Sequence, residues 1–434
     1  MFGTSGIRGR VGEAVTADLA LSVGRALAAD ADRVVLGRDP RESGRFLADA
    51  VSAGLRECGA DVVRLGLAAT PTVARSVGWL DADAGVAVTA SHNPPEDNGL
   101  KLWQPSGQAF DEPRRDAITE RVRSGRFDLR DWEGTGAEAA ADATERHREA
   151  IVEAAGPAEI PVVVDVGNGA GGVTADALVG MGCQVETLNA QPDGRFPGRP
   201  SEPTGEHCRA LCDLVGASGA ALGIAHDGDA DRTMAVAEDG TWVSGDALLA
   251  LFARQAAGEG DRVAAPVDTS LAVADALAEV GADLEYTPVG DVHVAERASE
   301  PGVAFGGEPS GAWIWPRETL CPDGPLAAAK LAALVDREGP LSELLAGIES
   351  YPIRRENVEL AEKAAVMERV REAAVERYGD VETLDGVRID LGDAWFLVRA
   401  SGTQPLVRIT AEARDPDRAE AALGEARDLL AGAR

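Results

Sequence analysis

Short apolar runs alternate with amphipathic segments over most of the chain, a pattern typical of β-strand–α-helix units. In the first such region the pattern predicts strands and helices at Arg33–Gly37, Phe46–Cys58, Asp61–Leu65, Thr72–Leu80 and Gly85–Thr89. A second region predicts a strand, a helix after a glycine-rich turn, and a strand at Pro161–Val166, Thr174–Met181 and Ala221–Ala225. A third predicts alternating helices and strands at Asp246–Ala256, Arg262–Val267, Ser270–Val280, Leu284–Thr287, Val292–Ser299 and Val303–Gly306. We therefore expect three α/β domains of related plan.

The C-terminal region has a different order of elements. Its pattern predicts a helix, three strands and a closing helix at Glu359–Tyr378, Gly386–Leu391, Ala394–Arg399, Pro405–Arg414 and Asp415–Ala433. Asp415 is the expected N-cap of the closing helix, with Pro416 in its first turn. Strands grouped between helices indicate an α+β domain. We expect linkers at Asp131–Asp142 and in the stretch around Gly347–Asn357, and four domains at 1–135, 136–243, 244–349 and 350–434.

The composition is that of a globular protein. The chain has 434 residues, of which 45% are apolar, and no apolar run approaches the ~18 residues of a membrane helix. The N-terminus lacks the basic and apolar regions of a secretory signal, so we expect a cytoplasmic protein. An odd, sparse set of cysteines argues against a disulfide framework and predicts buried apolar side chains at Cys58, Cys183, Cys208, Cys212 and Cys321.

The formal net charge of −31 is strongly acidic. Such a charge opposes binding to nucleic acid and to anionic membrane surfaces, and we expect neither as a partner. Lysine occurs only at Lys101, Lys330 and Lys363. Because excess acid with scarce lysine resembles the cytoplasmic proteins of extreme halophiles, we expect a halophilic archaeal source and an unfolding midpoint that rises in molar KCl. The sequence leaves the oligomeric state open.

The segment from Thr89 to Lys101 is the first candidate for chemistry. It follows apolar residues 85–88, so Ser91 lies on a loop just past the carboxyl end of a predicted strand. Open α/β sheets bind their ligands at this edge. An ordinary Ser/Asn/Pro turn also fits these residues, but Lys101 is conspicuous in a chain that otherwise avoids lysine. The segment is therefore a candidate functional loop.

A second candidate is the run of aspartates at Asp227, Asp229 and Asp231, which follows another predicted strand. Alternate residues of an extended loop point to one side, and three carboxylates suit Mg²⁺ or Ca²⁺, with Mg²⁺ favoured if phosphate and water complete its ligands. A solvated acidic loop is the alternative. An EF-hand is disfavoured because Arg232 stands where that loop needs glycine. An aspartyl phosphatase with Asp227 as nucleophile fits only in part, because Asp231 replaces its usual Thr or Val.

Two glycine-containing turns follow other predicted strands. The segment Gly167–Gly172 matches the G-x-G-x-x-G pattern of dinucleotide-binding loops, although a tight strand-to-helix turn is the favoured interpretation. Glu308 and Ser310 lie after the last strand of the third region. Their side chains are candidates for binding sugar hydroxyls or an amine, and a plain Pro-Ser-Gly turn is the alternative.

The last candidate loop lies between two predicted strands of the C-terminal region. Ser401, Thr403 and the backbone N–H groups around Gly402 form a candidate phosphate site. Arg399 and Arg408 flank it and can donate charge-assisted hydrogen bonds. A hairpin turn without a ligand is the alternative.

These segments, in this order and together with Phe2–Gly9, resemble the α-D-phosphohexomutase superfamily of phosphoglucomutases, phosphomannomutases and phosphoglucosamine mutases. The resemblance spans nearly the whole chain. It implies four domains around a central cleft, three related α/β domains and a C-terminal α+β domain, which agrees with the pattern above. It also implies a Mg²⁺-dependent mutase acting on a hexose or hexosamine phosphate through a 1,6-bisphosphate.

The resemblance further implies roles for individual residues. Ser91 would carry the phosphoryl group and, with Asp227, Asp229 and Asp231, would bind Mg²⁺. The transferring phosphoryl group would be surrounded by Arg8, His92, Lys101 and Arg232, and Lys101 would be the general acid/base. Sugar hydroxyls would contact Glu308 and Ser310, and the non-reacting phosphate would contact Arg399, Ser401, Gly402, Thr403 and Arg408.

Substrate preference depends on a few loop residues. The Ala90–Ser91 pair and the loop Thr287–Asp291 look more like archaeal phosphoglucosamine mutases than phosphomannomutase/phosphoglucomutases. Interconversion of glucosamine 6-phosphate and glucosamine 1-phosphate is therefore the expected reaction, with glucose or mannose phosphates as the alternative. Gln404 replaces the family's usual Glu, and Ala312 replaces a His or another polar residue near the sugar.

Overall fold

The computed structural model describes residues 1–3, 6–360, 362–379, 381–401 and 406–434. These residues form two compact units. Unit 1 comprises Met1–Leu248 and Ser310–Ala346, and unit 2 comprises Leu249–Pro309 and Gly347–Arg434. Within the described ranges, each helix is too short or too polar to cross a bilayer.

Strands and helices alternate along most of the described chain. The strands are β1 (Ile7–Arg10), β2 (Arg33–Arg38), β3 (Asp61–Leu67), β4 (Ala84–Val88), β5 (Asp97–Trp103), β6 (Glu138–Ala140), β7 (Pro161–Asp165), β8 (Gln184–Leu188), β9 (Leu222–His226), β10 (Thr233–Ala237), β11 (Arg262–Pro266), β12 (Asp283–Thr287), β13 (Val303–Glu308), β14 (Ala312–Ile314), β15 (Ile353–Glu359), β16 (Val387–Asp390), β17 (Ala394–Ala400) and β18 (Leu406–Ala413).

The helices are α1 (Ala17–Leu27), α2 (Gly44–Glu57), α3 (Thr70–Trp79), α4 (Glu112–Ser124), α5 (Thr144–Ala155), α6 (Gly172–Met181), α7 (Arg209–Ser218), α8 (Gly245–Ala256), α9 (Leu271–Val280), α10 (Asp291–Ala298), α11 (Gly324–Glu338), α12 (Leu341–Leu345), α13 (Lys363–Tyr378) and α14 (Pro416–Gly432). Asp415 accepts a hydrogen bond from Arg418 N at the start of α14, which confirms the predicted cap.

Unit 1 contains two sheets. In the first, the strand order is β1-β5-β4-β2-β3-β6, and β5 runs antiparallel to both of its neighbours. In the second, the order is β10-β9-β7-β8, with β10 antiparallel to β9. The central strands β4 and β9 are buried along their whole length, as expected for parallel strands covered by helices on both faces. The carboxyl ends of β4 and β9 lead into the two candidate loops.

Unit 2 contains parallel strands and a separate antiparallel sheet. Strands β12, β11 and β13 lie side by side in that order and are parallel. The antiparallel sheet has the order β15-β18-β17-β16, and α13 and α14 pack on it around a core of small and branched apolar residues. This arrangement confirms the fold class predicted from the sequence, in which α/β regions are followed by a C-terminal α+β region.

The structure adds two edge strands that the sequence pattern did not predict and shifts the start of one helix. The predicted linker Asp131–Asp142 contains β6, whose side chains are all exposed, so its sequence carries no apolar signal. The predicted linker Gly347–Asn357 overlaps β15, an edge strand with mostly polar residues, and the following helix begins at Lys363 and not at Glu359. The second half of the Thr89–Lys101 segment is β5, which pairs with β4 and β1, and Ser91 lies on the turn before it.

Candidate active site

Ser91 lies immediately beyond β4 in a strained backbone conformation. Its φ angle is +52°, a left-handed value that costs a non-glycine residue energy and is often found at functional sites. The side chain is buried, and its Oγ donates a hydrogen bond to Asp227 Oδ2 at 2.5 Å. His92 Nδ1 lies 3.3 Å from the same hydroxyl. Ser91 is therefore held against the aspartate loop of the second sheet.

Asp227, Asp229 and Asp231 converge, as the sequence predicted, but by a different local geometry. The loop between β9 and β10 is a turn and not an extended segment, with Ala230 at φ +57° and its N–H bonded to Asp227 O. One oxygen from each carboxylate lies within 4.8 Å of the other two, and all three residues are buried. Arg232, the next residue, donates its backbone N–H to Asp227 Oδ1 at 3.2 Å.

The cationic residues reach this cluster from the first sheet. Lys101 lies on β5 opposite Ala87, and its Nζ contacts Asp231 Oδ2 and lies 3.5 Å from Asp229 Oδ2. Arg8 lies on β1 opposite Gly99. The strands approach so closely there that a Cβ on Gly99 would lie 2.1 Å from Ile7 O, so a glycine is needed for this pairing.

Burial and neighbouring charges shift the pKa values of the clustered groups in different directions. Burial, and then the charges of Asp231 and Asp229, raise the pKa of Asp227 well above its usual value. Burial opposes ionisation of Asp229 too, but the charge of Lys101 and a hydrogen bond from Thr70 lower the pKa of that carboxyl. Burial and the charges of Arg232 and Arg8 lower the pKa of His92 to about 2, so its ring is neutral near pH 7.

The residues present fit a divalent metal ion. Three buried carboxylates and a serine hydroxyl are hard oxygen ligands of the kind Mg²⁺ prefers. Asp229 Oδ1 is buried and accepts no hydrogen bond within the described part of the chain, although buried carboxylate oxygens are normally satisfied. A cation would supply that oxygen with a partner and reduce the repulsion among the carboxylates.

The remaining predicted residues of unit 1 and unit 2 can be placed individually. Ser310 is half-buried in unit 1, and Ala312 pairs with Arg232 through an isolated β-bridge. In unit 2, Glu308 is buried at the end of β13 and accepts a hydrogen bond from Gly290 N at 2.8 Å. That bond links the predicted sugar loop after β13 to the Thr287–Asp291 loop after β12.

The predicted phosphate loop of unit 2 is described only in part. Arg399 lies opposite Arg408 on neighbouring strands, and Arg399 Nη1 lies 3.2 Å from Asp385 Oδ2. Ser401 is buried, and its N–H donates to Leu406 O. Gly402 and Thr403, which the resemblance also assigned to phosphate binding, lie outside the described residues, as does Gln404.

Sequence reasoning missed the residues that support Ser91 and Asp229. Thr70, the first residue of α3, donates from Oγ1 to Asp229 Oδ2 at 2.5 Å. Asp39 and Arg41, which follow β2, bind the segment that carries Ser91. A polar cluster just past a buried strand was the available signal, because ligands gather at that edge of an open sheet. The Gly167–Gly172 segment, by contrast, forms the tight turn that was favoured for it, between β7 and α6.

Comparison with known protein families accounts for nearly the whole chain. Residues 1–128, 142–240 and 244–351 match the descriptions "Phosphoglucomutase/phosphomannomutase, alpha/beta/alpha domain" I, II and III. Residues 356–429 match the C-terminal domain of the same family. The chain belongs to the phosphoglucomutase/phosphomannomutase family. It is therefore an enzyme of the phosphohexomutase class, and the family resemblance inferred from the sequence is confirmed.

Individual relatives share the whole length of the chain. A Methanopyrus kandleri protein named "Probable phosphoglucosamine mutase" is 46% identical, with 99% of this chain and 97% of the relative covered. A solved phosphoglucomutase/phosphomannomutase family protein from Burkholderia thailandensis has a TM-score of 0.88 at 28% identity, covering 100% of this chain and 98% of its own. Aspergillus fumigatus N-acetylphosphoglucosamine mutase, solved with GlcNAc-6P and magnesium, shares the fold at a TM-score of 0.61 and 16% identity, over 100% and 95% of the two chains.

Proposed function

We propose that this enzyme is a phosphoglucosamine mutase that carries its phosphoryl group on Ser91 and requires Mg²⁺. The observation that carries the proposal is the 2.5 Å contact between Ser91 Oγ and Asp227 Oδ2, inside a buried cluster of three carboxylates and Lys101. Phosphoryl transfer depends on alignment and on neutralising oxygen charge, and this setting offers both. The names of the archaeal relatives favour a hexosamine phosphate over other hexose phosphates.

In the proposed reaction, phosphoserine 91 transfers its phosphoryl group to the free C1 or C6 hydroxyl of glucosamine phosphate. The P–Oγ bond breaks, a P–O bond to the sugar hydroxyl forms, and Lys101, the candidate general acid/base, donates a proton to the leaving Ser91 Oγ and takes up the proton of the sugar hydroxyl. The product is the 1,6-bisphosphate. After the bisphosphate turns over, its other phosphate returns to Ser91, so the sugar phosphate is isomerised without net loss of phosphate.

The other predicted residues have supporting roles in the proposal. Mg²⁺ held by Asp227, Asp229 and Asp231 would neutralise negative charge on the phosphoryl oxygens. The same oxygens would accept hydrogen bonds from Arg8, His92 and Arg232. Sugar hydroxyls would be bound by Glu308 and Ser310, and a phosphate of the sugar by Arg399, Ser401, Gly402, Thr403 and Arg408. We also propose the domain boundaries 1–135, 136–243, 244–349 and 350–434.

The test combines intact-protein mass, site mapping and parallel assays. We expect one phosphate on Ser91 and the highest kcat/KM with glucosamine 6-phosphate among glucosamine, glucose and mannose 6-phosphates. Ser91→Ala should abolish isomerisation, whereas Ser106→Ala, on an exposed turn of the same sheet region, should leave it unchanged. Steady release of inorganic phosphate with an unmodified Ser91 would instead indicate a phosphatase using Asp227.

A further inference from the structure

Arg41 lies fully buried beneath the segment that carries Ser91. Its exposed fraction is 0%, and its Nε donates to Asp39 Oδ2 at 2.9 Å. Its Nη1 and Nη2 donate to backbone carbonyls of the segment that follows β4. The acceptors are Ser91 O at 2.8 Å, Asn93 O at 2.6 Å, Asp97 O at 2.9 Å and Pro94 O. One buried cation thus binds the segment from the proposed phosphoryl carrier to the start of β5.

Asp39 links Arg41, which binds the Ser91 carbonyl, to the hydroxyl that binds the Ser91 N–H. Asp39 Oδ2 accepts a hydrogen bond from Thr89 Oγ1 at 2.7 Å, and Thr89 Oγ1 in turn accepts one from Ser91 N at 2.8 Å. Asp39 therefore orients two groups that bind the Ser91 backbone. One is Thr89 Oγ1, which accepts from Ser91 N, and the other is the Arg41 guanidinium, which donates to Ser91 O. Ser201 Oγ also donates to Ser91 O at 2.8 Å.

These bonds hold Ser91 in the backbone conformation that places its hydroxyl beside Asp227 Oδ2. A left-handed non-glycine residue persists only where its surroundings over-determine it, and the N–H and carbonyl of Ser91 are both bound. If the backbone relaxed to an ordinary φ, the side chain would leave its position 2.5 Å from Asp227 Oδ2. Phosphoryl transfer is sensitive to such shifts because it depends on alignment.

The chemistry of arginine is specific to this position. A guanidinium presents several N–H donors in a fixed plane, so it can bind one carboxylate and carbonyls on different sides at once, whereas a lysine ammonium has three donors on a flexible stem. The Arg41 guanidinium also lies 5.0 Å from the centroid of the buried Phe196 ring, which limits its movement. A lysine would keep the positive charge beside Asp39 but could not bind the same set of carbonyls.

We infer that Arg41 and Asp39 are positioning residues that hold Ser91 in its strained conformation for phosphoryl transfer, an inference that rests on the proposed role of Ser91 as phosphoryl carrier. Neither side chain touches the reacting atoms. Their effect passes through the Ser91 backbone, so substitutions should change the rate of transfer to and from Ser91 rather than the affinity for the sugar phosphate.

The test uses the whole enzyme and two independent variants. Arg41→Lys keeps the charge, and Thr89→Val removes only the hydroxyl that joins Asp39 to Ser91 N, so at least this milder variant should fold. Both should lower kcat, by about 100-fold for a displacement of the size of an ångström, with little change in KM. Phosphorylation of Ser91 by glucose 1,6-bisphosphate, followed by intact mass, should slow in parallel, and Thr89→Ser should restore most of both rates.

A matched control separates positioning from general destabilisation. Arg75 forms another buried ion pair of unit 1, with Asp323 at 2.7 Å, and its partners Asp323 and the Trp79 ring are not part of the Ser91 segment. Arg75→Lys should lower Tm but keep kcat. The inference is overturned if folded Thr89→Val retains wild-type kcat, or if the loss of kcat in every variant merely follows the loss of Tm. Full activity in Ser91→Ala would instead refute the proposed function itself.

Discussion

Lys101 offers the sharpest test of the electrostatics in the carboxylate cluster. Its side chain is 4% exposed and lies 3.5 Å from Asp229 Oδ2, which is fully buried, while also contacting Asp231. At an effective dielectric constant of about 20, a unit charge pair at this separation is worth roughly 5 kcal/mol. Replacing the lysine by methionine keeps the length of the side chain and removes the cation, so the buried carboxylates lose a partner.

The expected loss of stability depends on what else can neutralise the cluster. Removing one partner of a buried ion pair costs about 3–5 kcal/mol, and proton uptake on Asp227 keeps the loss in Lys101→Met near the lower end. Mg²⁺ at 100 times its Kd would return about 2.7 kcal/mol if it binds only the folded enzyme. Thermal unfolding in EDTA should therefore show a Tm lowered by about 10 °C, since 1 kcal/mol shifts Tm by about 2–4 °C in domains of this size.

The assay compares the Mg²⁺-induced rise in Tm between the variant and the wild type. Because Lys101 and the cation would share the same carboxylates, we expect the rise to be larger in Lys101→Met. Lys330→Met is the control, because Lys330 donates to Ala154 O and lies over the Trp315 ring, and the carboxylate that acts on its pKa is Glu318 and not the aspartate cluster. Equal rises in Lys101→Met and wild type, or a Lys101→Met Tm unchanged in EDTA, would refute the reasoning.

Three further predictions follow from other parts of the structure. Burial raises the pKa of each cysteine thiol, for Cys208 to about 12, so less thiolate forms at a given pH. Iodoacetamide at pH 8 should therefore modify the native protein far more slowly than the unfolded one, and equal rates, measured by mass, would contradict this. Chelation with EDTA should abolish isomerisation and added Mg²⁺ should restore it, whereas undiminished turnover in EDTA would exclude the metal. Glu412 is buried in unit 2 and accepts hydrogen bonds from Ser270 Oγ, Leu271 N and Trp395 Nε1. Glu412→Gln should lower the free energy of unfolding by about 2 kcal/mol, because hydrogen bonds to a charged group contribute about 1.5–3 kcal/mol each. The control Glu372→Gln, at an exposed position, should not change Tm.

Cationic side chains lie around the carboxylate cluster in a protein whose formal net charge is −31. Burial, and then the charges of Arg232, Arg8 and Lys101, lower the pKa of His92, whose Nδ1 lies 3.3 Å from Ser91 Oγ. An anionic substrate approaches such a protein against the long-range field, and salt screens that field over about 10 Å at 0.1 M. The charge of Lys101, whose side chain is only 4% exposed, is screened far less than charges on the surface.

Most strands and helices could be predicted because their signal is local. A buried parallel strand such as β7 or β9 is a continuous apolar run, and its predicted bounds differ from the observed ones by only a residue at either end. Edge strands were lost for the same reason. β6 is exposed at every residue, and β15 is largely polar, so pairing with a neighbouring strand, and not an apolar pattern, defines them.

The order of residues along the chain was enough to single out the serine loop, the aspartate loop and the family to which they belong. Proximity was decided only in three dimensions, since Ser91 and Asp227 are 136 positions apart and meet because β4 and β9 end near one another. The strained φ of Ser91, the turn at Ala230 and the bonds from Arg41 have no local signature either. Such features depend on how separate strands pack, and short-range periodicity carries no information about contacts over that distance.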